Sequence, residues 1–452
     1  MTMPRFMIAA PASGSGKTLI TCGILQALVN RGMKVASFKC GPDYIDPMFH
    51  SRVIGTRSKN LDAFFTDDDT LRFLFARTAD EVDISVIEGV MGYYDGSSAS
   101  GSDSSSCDVA MKLKAPTVLL INCKGASVSV LATLKGFLLF RENNIRGVIF
   151  NNMSENTFKA VAPEAERMGV RVIGYVPRVD NLVLESRHLG LVLPSEVDQL
   201  REKLNELAAV LEDTLDFGKL IELASEAPDI SYSAPNVETL DRTVRIGLAM
   251  DEAFCFTYED NIELLKRCGA EIIEFSPVHD EKLPEVDGIV LSGGYPELHA
   301  EELAGNTGIM EDIRRKVSDG MPCMAECGGF MYLHENMEGQ DGRMYKMCGV
   351  IPGTVRNTGK LSRFGYVTLT PRRNGMIGSD VVLKGHEFHY WDSDNTGGDW
   401  RAEKTNGTKY GCMHDTGTLV AGFPHLYYYS NPEVAHRFLQ AAERYSDRKG
   451  TE

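Results

Sequence analysis

Ala9-Ala-Pro-Ala-Ser-Gly-Ser-Gly-Lys-Thr18 is the stretch that decides the fold of this chain. It follows Arg5-Phe-Met-Ile8, an apolar run that reads as a β-strand. It precedes Leu19–Val29, whose apolar residues recur at helical spacing. Strand, glycine loop and helix in that order is the context a phosphate-binding loop requires. Gly14 and Gly16 carry no Cβ, so the backbone N–H groups of Ser13 to Gly16, Ser15 included, can close on a phosphate chain. The helix N-terminus adds partial positive charge, Lys17 reaches the β/γ-phosphates, and the Thr18 hydroxyl suits Mg²⁺. The strict pattern asks for glycine five residues before Gly16, where Pro11 stands. A chance glycine turn is the alternative reading, and the flanking strand and helix decide against it.

Around this loop, 452 residues allow two to four domains, and 43% hydrophobic residues supply real cores. No apolar run is long enough to span a membrane, and the first ten residues lack the pattern of a secretory signal. Ten cysteines without metal-ligand spacing fit free thiols in a reducing cytoplasm. A net charge of −16 argues against a nucleic-acid binder, and any acidic substrate needs a locally basic site.

Further along, Lys34–Phe38 reads as a second strand running into Lys39-Cys-Gly-Pro-Asp-Tyr-Ile-Asp-Pro47. Gly41, Pro42 and Pro47 predict an irregular loop at a strand's carboxyl end, where open parallel sheets bind ligands. Asp43 and Asp46 are candidates for holding Mg²⁺ or orienting the acceptor, with Lys39 near the transferring phosphate; turn capping is the competing role for both acids. Asp83–Gly96 reads as a buried strand ending in a glycine-rich loop. Glu88 stands where P-loop proteins place a metal-orienting carboxylate, and Asp95 is a second acid past the glycines. The serine-rich run Gly96–Ser106 predicts a mobile surface loop. Strands at Pro116–Asn122, Gly147–Asn152 and Val170–Val176 alternate with helical patterns at Ala126–Glu142 and Asn156–Arg167. Such alternation predicts an α/β, parallel, doubly wound sheet. Arg187 and His188 are candidate contacts for a substrate carboxylate, or equally the start of an exposed helix. A charged helical stretch follows, and then a linker at 226–242 separates a first domain (1–225) from a second (243–452).

In the second domain, Gly288–Leu291 is a strand followed by the tight turn Ser292-Gly-Gly-Tyr-Pro-Glu297, whose N–H groups around Gly294 can form an oxyanion hole. Met321-Pro-Cys-Met-Ala-Glu-Cys-Gly-Gly-Phe330 runs from strand through Cys327 into a helical pattern, the setting for a nucleophile lifted on a sharp turn. The helix N-terminus is expected to depress the Cys327 pKa; Cys323 belongs to the incoming strand and the core. For the base, His386, His389, His414 and His425 are all candidates on chemistry alone. Cysteine on a strand-to-helix turn, followed by a histidine at a strand end, is the chain order of class I glutamine amidotransferases.

These words together carry a family resemblance over nearly the whole chain. The first half resembles the dethiobiotin-synthetase-like P-loop fold, and the whole resembles the cobyrinic acid a,c-diamide synthase family. The resemblance rests on the P-loop, Phe38–Pro47, Glu88–Gly96, Gly293–Ala300, Ala325–Leu333 and Gly385–Tyr390. The related cobyric acid synthases share the architecture but carry different words. The family's loop also lacks the outer glycine, so Pro11 is no irregularity. The resemblance implies two doubly wound domains, an ATP-dependent amide ligase and a class I-type glutaminase. It makes Cys327 the nucleophile and selects His425 over His389 as base. Tyr427 stands where class I enzymes carry the third, acidic member, so the reading is a Cys–His dyad with an unidentified orienting group.

The implied chemistry is Mg²⁺- and ATP-dependent activation of a carboxylate as acyl phosphate, followed by amidation with ammonia from L-glutamine. An enclosed ammonia path between the domains is expected. Lys17 and Thr18 hold phosphates and Mg²⁺, Glu88 and Asp43 support the metal, Asp95 orients the acceptor, and Asp46, Arg187 and His188 face the substrate. Cobyrinic acid, hydrogenobyrinic acid and nickel-sirohydrochlorin are the candidate tetrapyrroles. Dethiobiotin synthesis needs no glutaminase, and a partitioning-type regulatory ATPase leaves Cys327 unexplained. A homodimer is left open.

Overall fold

The computed structural model describes residues 3–97, 101–179 and 194–449, with backbone alone for 194–198. It forms two compact units, Met1–Ala234 and Pro235–Glu452. Arg187 and His188 lie outside the described residues.

The first unit is built on seven strands: β1 (Arg5–Ala9), β2 (Val35–Cys40), β3 (Arg57–Leu61), β4 (Ile84–Glu88), β5 (Thr117–Asn122), β6 (Ile145–Asn151) and β7 (Arg171–Val176). They pair in the order β3-β2-β4-β1-β5-β6-β7, all parallel. Every residue of β1 is buried, because each face of a parallel sheet is covered by helices. Phe6 and Ile8 pack with the helices Lys17–Asn30 and Pro194–Thr214 through Ile24, Leu207 and Leu211. Met7 and Ala9 point the other way, toward Leu71, Phe75 and Val109. Between β4 and β5, β1 ends at the P-loop, so the carboxyl ends of β1, β2 and β4 open on one crevice.

Two expectations are corrected here. Residues 45–49 are helical (Ile45–Phe49) and continue into a π-helical turn, His50–Ile54. Pro47 is its third residue, in the first turn, where a missing N–H removes no intrahelical bond. The serine run is also not wholly a surface loop. Ser105 and Ser106 are fully buried; Ser105 caps the helix Ser106–Lys112, and the Ser106 hydroxyl bonds both N–H and C=O of Val90.

The second unit carries a six-stranded sheet in the order His414–Asp415, Leu419–Gly422, Cys323–Glu326, Gly288–Leu291, Val244–Ala249, Ala270–Phe275. All pairs are parallel except the short first one. Two further sheets lie within residues 334–427 and have no counterpart in the sequence reading. The four-stranded one contains His334–Glu338 and Ile351–Asn357. The five-stranded one, antiparallel throughout, runs Lys409–Cys412, Trp400–Lys404, Arg363–Pro371, Leu383–His389, His425–Tyr427.

Arg5 shows how tightly β1 is held. Its side chain is fully buried, with Nε donating to Leu113 O at 2.7 Å, Nη1 to Met3 O at 2.8 Å, and Nη2 to Pro228 O. Removing the guanidinium leaves the buried Leu113 carbonyl and two part-buried carbonyls without their donor, so Arg5→Ala should cost about 3 kcal/mol. Urea denaturation will show this as a lower midpoint; an unchanged midpoint would contradict it.

Candidate functional site

The P-loop takes the shape its glycines permit. Gly14 (φ 76°) and Gly16 (φ 92°) lie in the left-handed region, and Gly16 caps the following helix. Asn151, at the end of β6, donates from Nδ2 to Ser15 O at 2.9 Å. A Cβ on Gly16 would fall 2.6 Å from that same nitrogen. The Ser15 hydroxyl closes the turn on Ala12 O at 2.8 Å, while Ser13 and Gly14 are exposed. Lys17 Nζ donates to Met91 O at 2.5 Å and Ala12 O at 3.4 Å, folding over the loop toward the chain after β4. Burial, and then neighbouring Lys39, lower its pKa.

Beneath the loop lies a buried ionic cluster. Glu88, with no exposed surface, accepts at Oε1 from Thr18 Oγ1 at 2.8 Å and from Lys39 Nζ at 2.6 Å. Lys39 also pairs with Asp46. Burial alone would lower Lys39; Glu88, Asp46 and Asp43 together outweigh it and hold the ammonium above its ordinary value. Burial, opposed by Lys39, pushes Glu88 up to about 7. Its Oε2 has no hydrogen-bond partner among the described residues; the fully buried His50 stands 3.7 Å away through Nε2.

The sequence-predicted acids therefore separate. Asp46 joins the Glu88–Lys39 cluster directly. Asp43 Oδ1 instead caps the helix Ile45–Phe49, accepting from Ile45 N at 2.9 Å and Asp46 N at 3.1 Å. Burial and the nearby Asp46 raise its pKa. Asp95 braces the loop after β4, its Oδ2 accepting from Gly92 N at 2.9 Å. Among the described residues no group of three or more His, Cys, Asp and Glu is gathered as a metal cage. Thr18 Oγ1 beside the Glu88 carboxylate is a set of hard oxygen donors of the kind a Mg²⁺ takes.

In the second unit, Cys327 sits between the strand Cys323–Glu326 and the short helix Gly328–Tyr332 with φ 47° and ψ −105°. A non-glycine residue held there stores about 1–3 kcal/mol of strain. Cys327 N donates to Gly422 O at 2.8 Å and Gly329 N to Ser292 O at 3.0 Å, locking the turn. Only glycine fits at 329: a Cβ would lie 2.2 Å from Leu291 O. A Cβ on Gly328 would lie 3.1 Å from Gly294 N and 2.8 Å from Pro296 Cδ, so the nucleophile turn packs on the Gly293–Gly294 turn. On the other side of that turn, a Cβ at Gly293 would meet His425 Cε1 at 2.3 Å. Cys327, Gly294 and His425 are thus brought to one place.

The electrostatics of this pair correct one expectation. Cys327 is not depressed: burial, then the nearby Glu297 carboxylate, push its thiol well above the ordinary value. A helix of five residues has too little dipole to reverse that. Burial, then His386 and His389, lower His425 to about 3, so the imidazole is unprotonated at neutral pH. His389 is engaged elsewhere, its Nδ1 2.6 Å from Trp391 O and its ring stacked on Phe423 at 3.9 Å. A cavity of about 400 Å³ lined by Glu297, Leu298, Gln340 and Tyr345 opens beyond the Gly294 turn. Burial pushes Glu297 up to about 7.

Sequence reasoning missed four contributors: Asn151, His50, Glu326 and Asn261. Glu326 adjoins the nucleophile in sequence, which was its one legible signal. It is buried, accepting from Leu426 N at 3.2 Å and from Tyr428 OH at 3.3 Å.

Comparison with known proteins agrees with these two chemistries. Residues 6–192 match the CobQ/CobB/MinD/ParA nucleotide binding domain, and residues 245–433 match the CobB/CobQ-like glutamine amidotransferase domain. The class is a nucleotide-binding domain joined to a glutamine amidotransferase. The chain is 37% identical to the cobyrinate a,c-diamide synthase of Listeria innocua, over 98% of this chain and 100% of the relative. With that of Priestia megaterium it shares 37% identity over 97% of each chain. With that of Salmonella typhimurium it shares 36%, over 97% of this chain and 98% of the relative. The chain belongs to the cobyrinate a,c-diamide synthase family, and is a glutamine-dependent ligase.

Burial pushes Glu326 up to about 8, far above an unfolded glutamate. The folded state therefore holds a proton that the unfolded chain has lost, and stability falls as pH rises from about 4.5 to about 8, by up to about 1.4 kcal/mol per unit. Glu326→Gln removes this titration. Denaturation midpoints of wild type and E326Q should diverge across that window, wild type declining more; parallel curves would refute the buried, neutral carboxyl.

Proposed function

We propose that this chain amidates the a- and c-acetate carboxylates of cobyrinic acid, using ATP and glutamine, in cobalamin biosynthesis. The observation that carries the reading is the pairing of a P-loop above the Glu88–Thr18–Lys39 cluster with a buried cysteine on a strained turn beside a neutral histidine. The names of the relatives supply the substrate.

A carboxylate is a poor electrophile toward ammonia, since oxide would have to leave. In the first unit a substrate carboxylate oxygen attacks the γ-phosphorus of ATP. The bond to the β-phosphate oxygen breaks, and ADP departs. The P-loop amides and Lys17, released from Met91 O, cradle the phosphates. Thr18 and Glu88 would hold Mg²⁺, with Asp43 in support; the ion supplies charge neutralisation on the β- and γ-phosphate oxygens. Lys39, held by Glu88 and Asp46, stands toward the transferring phosphate, and Asp46 and Asp95 toward the acceptor. Arg187 and His188 remain candidates for a substrate carboxylate. Ammonia then attacks the acyl phosphate and phosphate leaves.

The ammonia comes from the second unit. Cys327 Sγ attacks the glutamine side-chain carbonyl, passing its proton to His425, and N–H groups around Gly294 stabilise the oxyanion. His425 returns the proton to the departing ammonia. Water then hydrolyses the thioester to glutamate. Because the thiol is raised rather than depressed, proton transfer to His425 must accompany the attack. Ten cysteines with no disulfide among the described residues support placing the protein in a reducing cytoplasm, and no helix among those residues is long and apolar enough to cross a membrane.

Two variants test the division of labour. Cys327→Ala should lose at least about 1000-fold of glutamine-dependent amidation but keep amidation driven by ammonia at alkaline pH. Lys17→Ala should lose about 100-fold or more of synthesis from either donor while still hydrolysing glutamine. Mass spectrometry of the tetrapyrrole product, with glutamate release measured alongside, reads both. Loss of both activities in C327A, or full synthesis in K17A, would defeat the scheme.

A further inference from the structure

Two residues beyond the histidine assigned as base, where class I enzymes carry an acid, this chain has Tyr427. What the structure provides instead is a clamp on the backbone that follows. The strand His425–Tyr427 is paired on one side with Leu383–His389, in register His386↔His425, Gly385↔Leu426 and Lys384↔Tyr427. Its other side meets side chains. Asn261 Nδ2 donates to Leu426 O at 2.8 Å, and Asn261 Oδ1 accepts from Tyr428 N at 2.8 Å, so one carboxamide acts as a neighbouring strand would. Glu326 Oε2 accepts from Leu426 N at 3.2 Å, and its Oε1 from Tyr428 OH at 3.3 Å. The Tyr427 hydroxyl, where the acid would stand, donates to Asp260 Oδ2 at 2.9 Å. Asp260, Asn261, Glu326, Leu426, Tyr427 and Tyr428 are all buried.

We propose that Asn261 and Glu326 are positioning residues for His425, acting through the backbone that follows it. By fixing Leu426 and Tyr428 they seat the His425 ring against Gly293, beside the turn that carries Cys327. Glu326 is the residue immediately before the nucleophile, so a single carboxyl ties the nucleophile's strand to the base's strand. Its work is done by hydrogen-bond geometry and not by negative charge: it acts as an acceptor of a backbone N–H, and burial keeps it protonated up to about 8. An ionised acid on the imidazole and a neutral clamp on the backbone are different devices, and one substitution separates them.

This inference rests on His425 being the base, and the experiment reports on that separately. Glutaminase kinetics would be measured for E326Q, E326A, N261A and H425A, with ammonia-dependent amidation and thermal melting recorded for each. E326Q keeps an acceptor oxygen for Leu426 N and should stay within about 3-fold of wild type. E326A and N261A should lose about 10- to 100-fold in kcat with KM for glutamine little changed, and ammonia-dependent synthesis intact. Recovery of activity from E326A to E326Q is the result a general packing defect would not give. If E326Q is as inactive as E326A while both remain folded, Glu326 works as an ionised acid and the proposal is overturned. Wild-type kcat in N261A overturns it equally. H425A should lose about 1000-fold or more; a glutaminase-active H425A would overturn the assignment of the base itself, whatever the other variants do.

Discussion

A carboxylate with no access to solvent has to be satisfied from within, and Glu88 sets that condition for the P-loop unit. Placing its charge at the carboxyl end of β4 costs several kcal/mol unless cations and donors surround it. Lys39 from the end of β2 and Thr18 from the start of the first helix meet that demand, and each is delivered there by strand order alone. Asp46 then balances Lys39, and the helix that presents Asp46 is capped by Asp43. A well-packed apolar cluster would serve stability as well or better, so the retention of this ionic one points to chemistry. The shared oxygen ties Thr18 to Lys39, while the other Glu88 oxygen faces the buried His50 ring at 3.7 Å.

The second unit meets a parallel constraint by different means. Its strands also end on a crevice, but what is stored there is backbone strain and not charge. Cys327 at φ 47° is held by a hydrogen bond to Gly422 and by glycines at 328 and 329 that let the Gly294–Pro296 turn and the strand end at Leu291 come within contact. Burial disfavours the charged forms of both the Cys327 thiol and the His425 imidazole, so no charge need be desolvated before substrate arrives. The cost is that the proton must move during the attack, which makes the orientation of His425 critical.

Most of what lies close in sequence was legible. The strand–loop–helix around Gly14 to Thr18, the acid at the end of β4 and the cysteine turn each declare themselves through local glycine and apolar patterns. What could not be read was anything delivered across the fold. Asn151 braces Ser15 from 136 residues away, and Asn261 meets Leu426 from 165 residues away. His50 lay beyond the loop words, in a π-helical turn that composition does not announce. Residues 334–427 carry two further sheets, one mixed and one antiparallel, without strong alternation, and the pattern of β–α units gave no hint of them. The depressed cysteine pKa was inferred from a helix N-terminus; burial beside Glu297 outweighed it, which only the packed structure reveals.

The central claim is that phosphate serves as the leaving group that turns a carboxylate into an amide. Oxygen transfer tests it directly. With substrate carboxylates labelled in both oxygens with ¹⁸O, and unlabelled ATP, glutamine and water, an acyl phosphate requires one labelled oxygen in inorganic phosphate for every amide formed. Mass spectrometry of the released phosphate should show that stoichiometry. Unlabelled phosphate, or label appearing in AMP, would contradict the account.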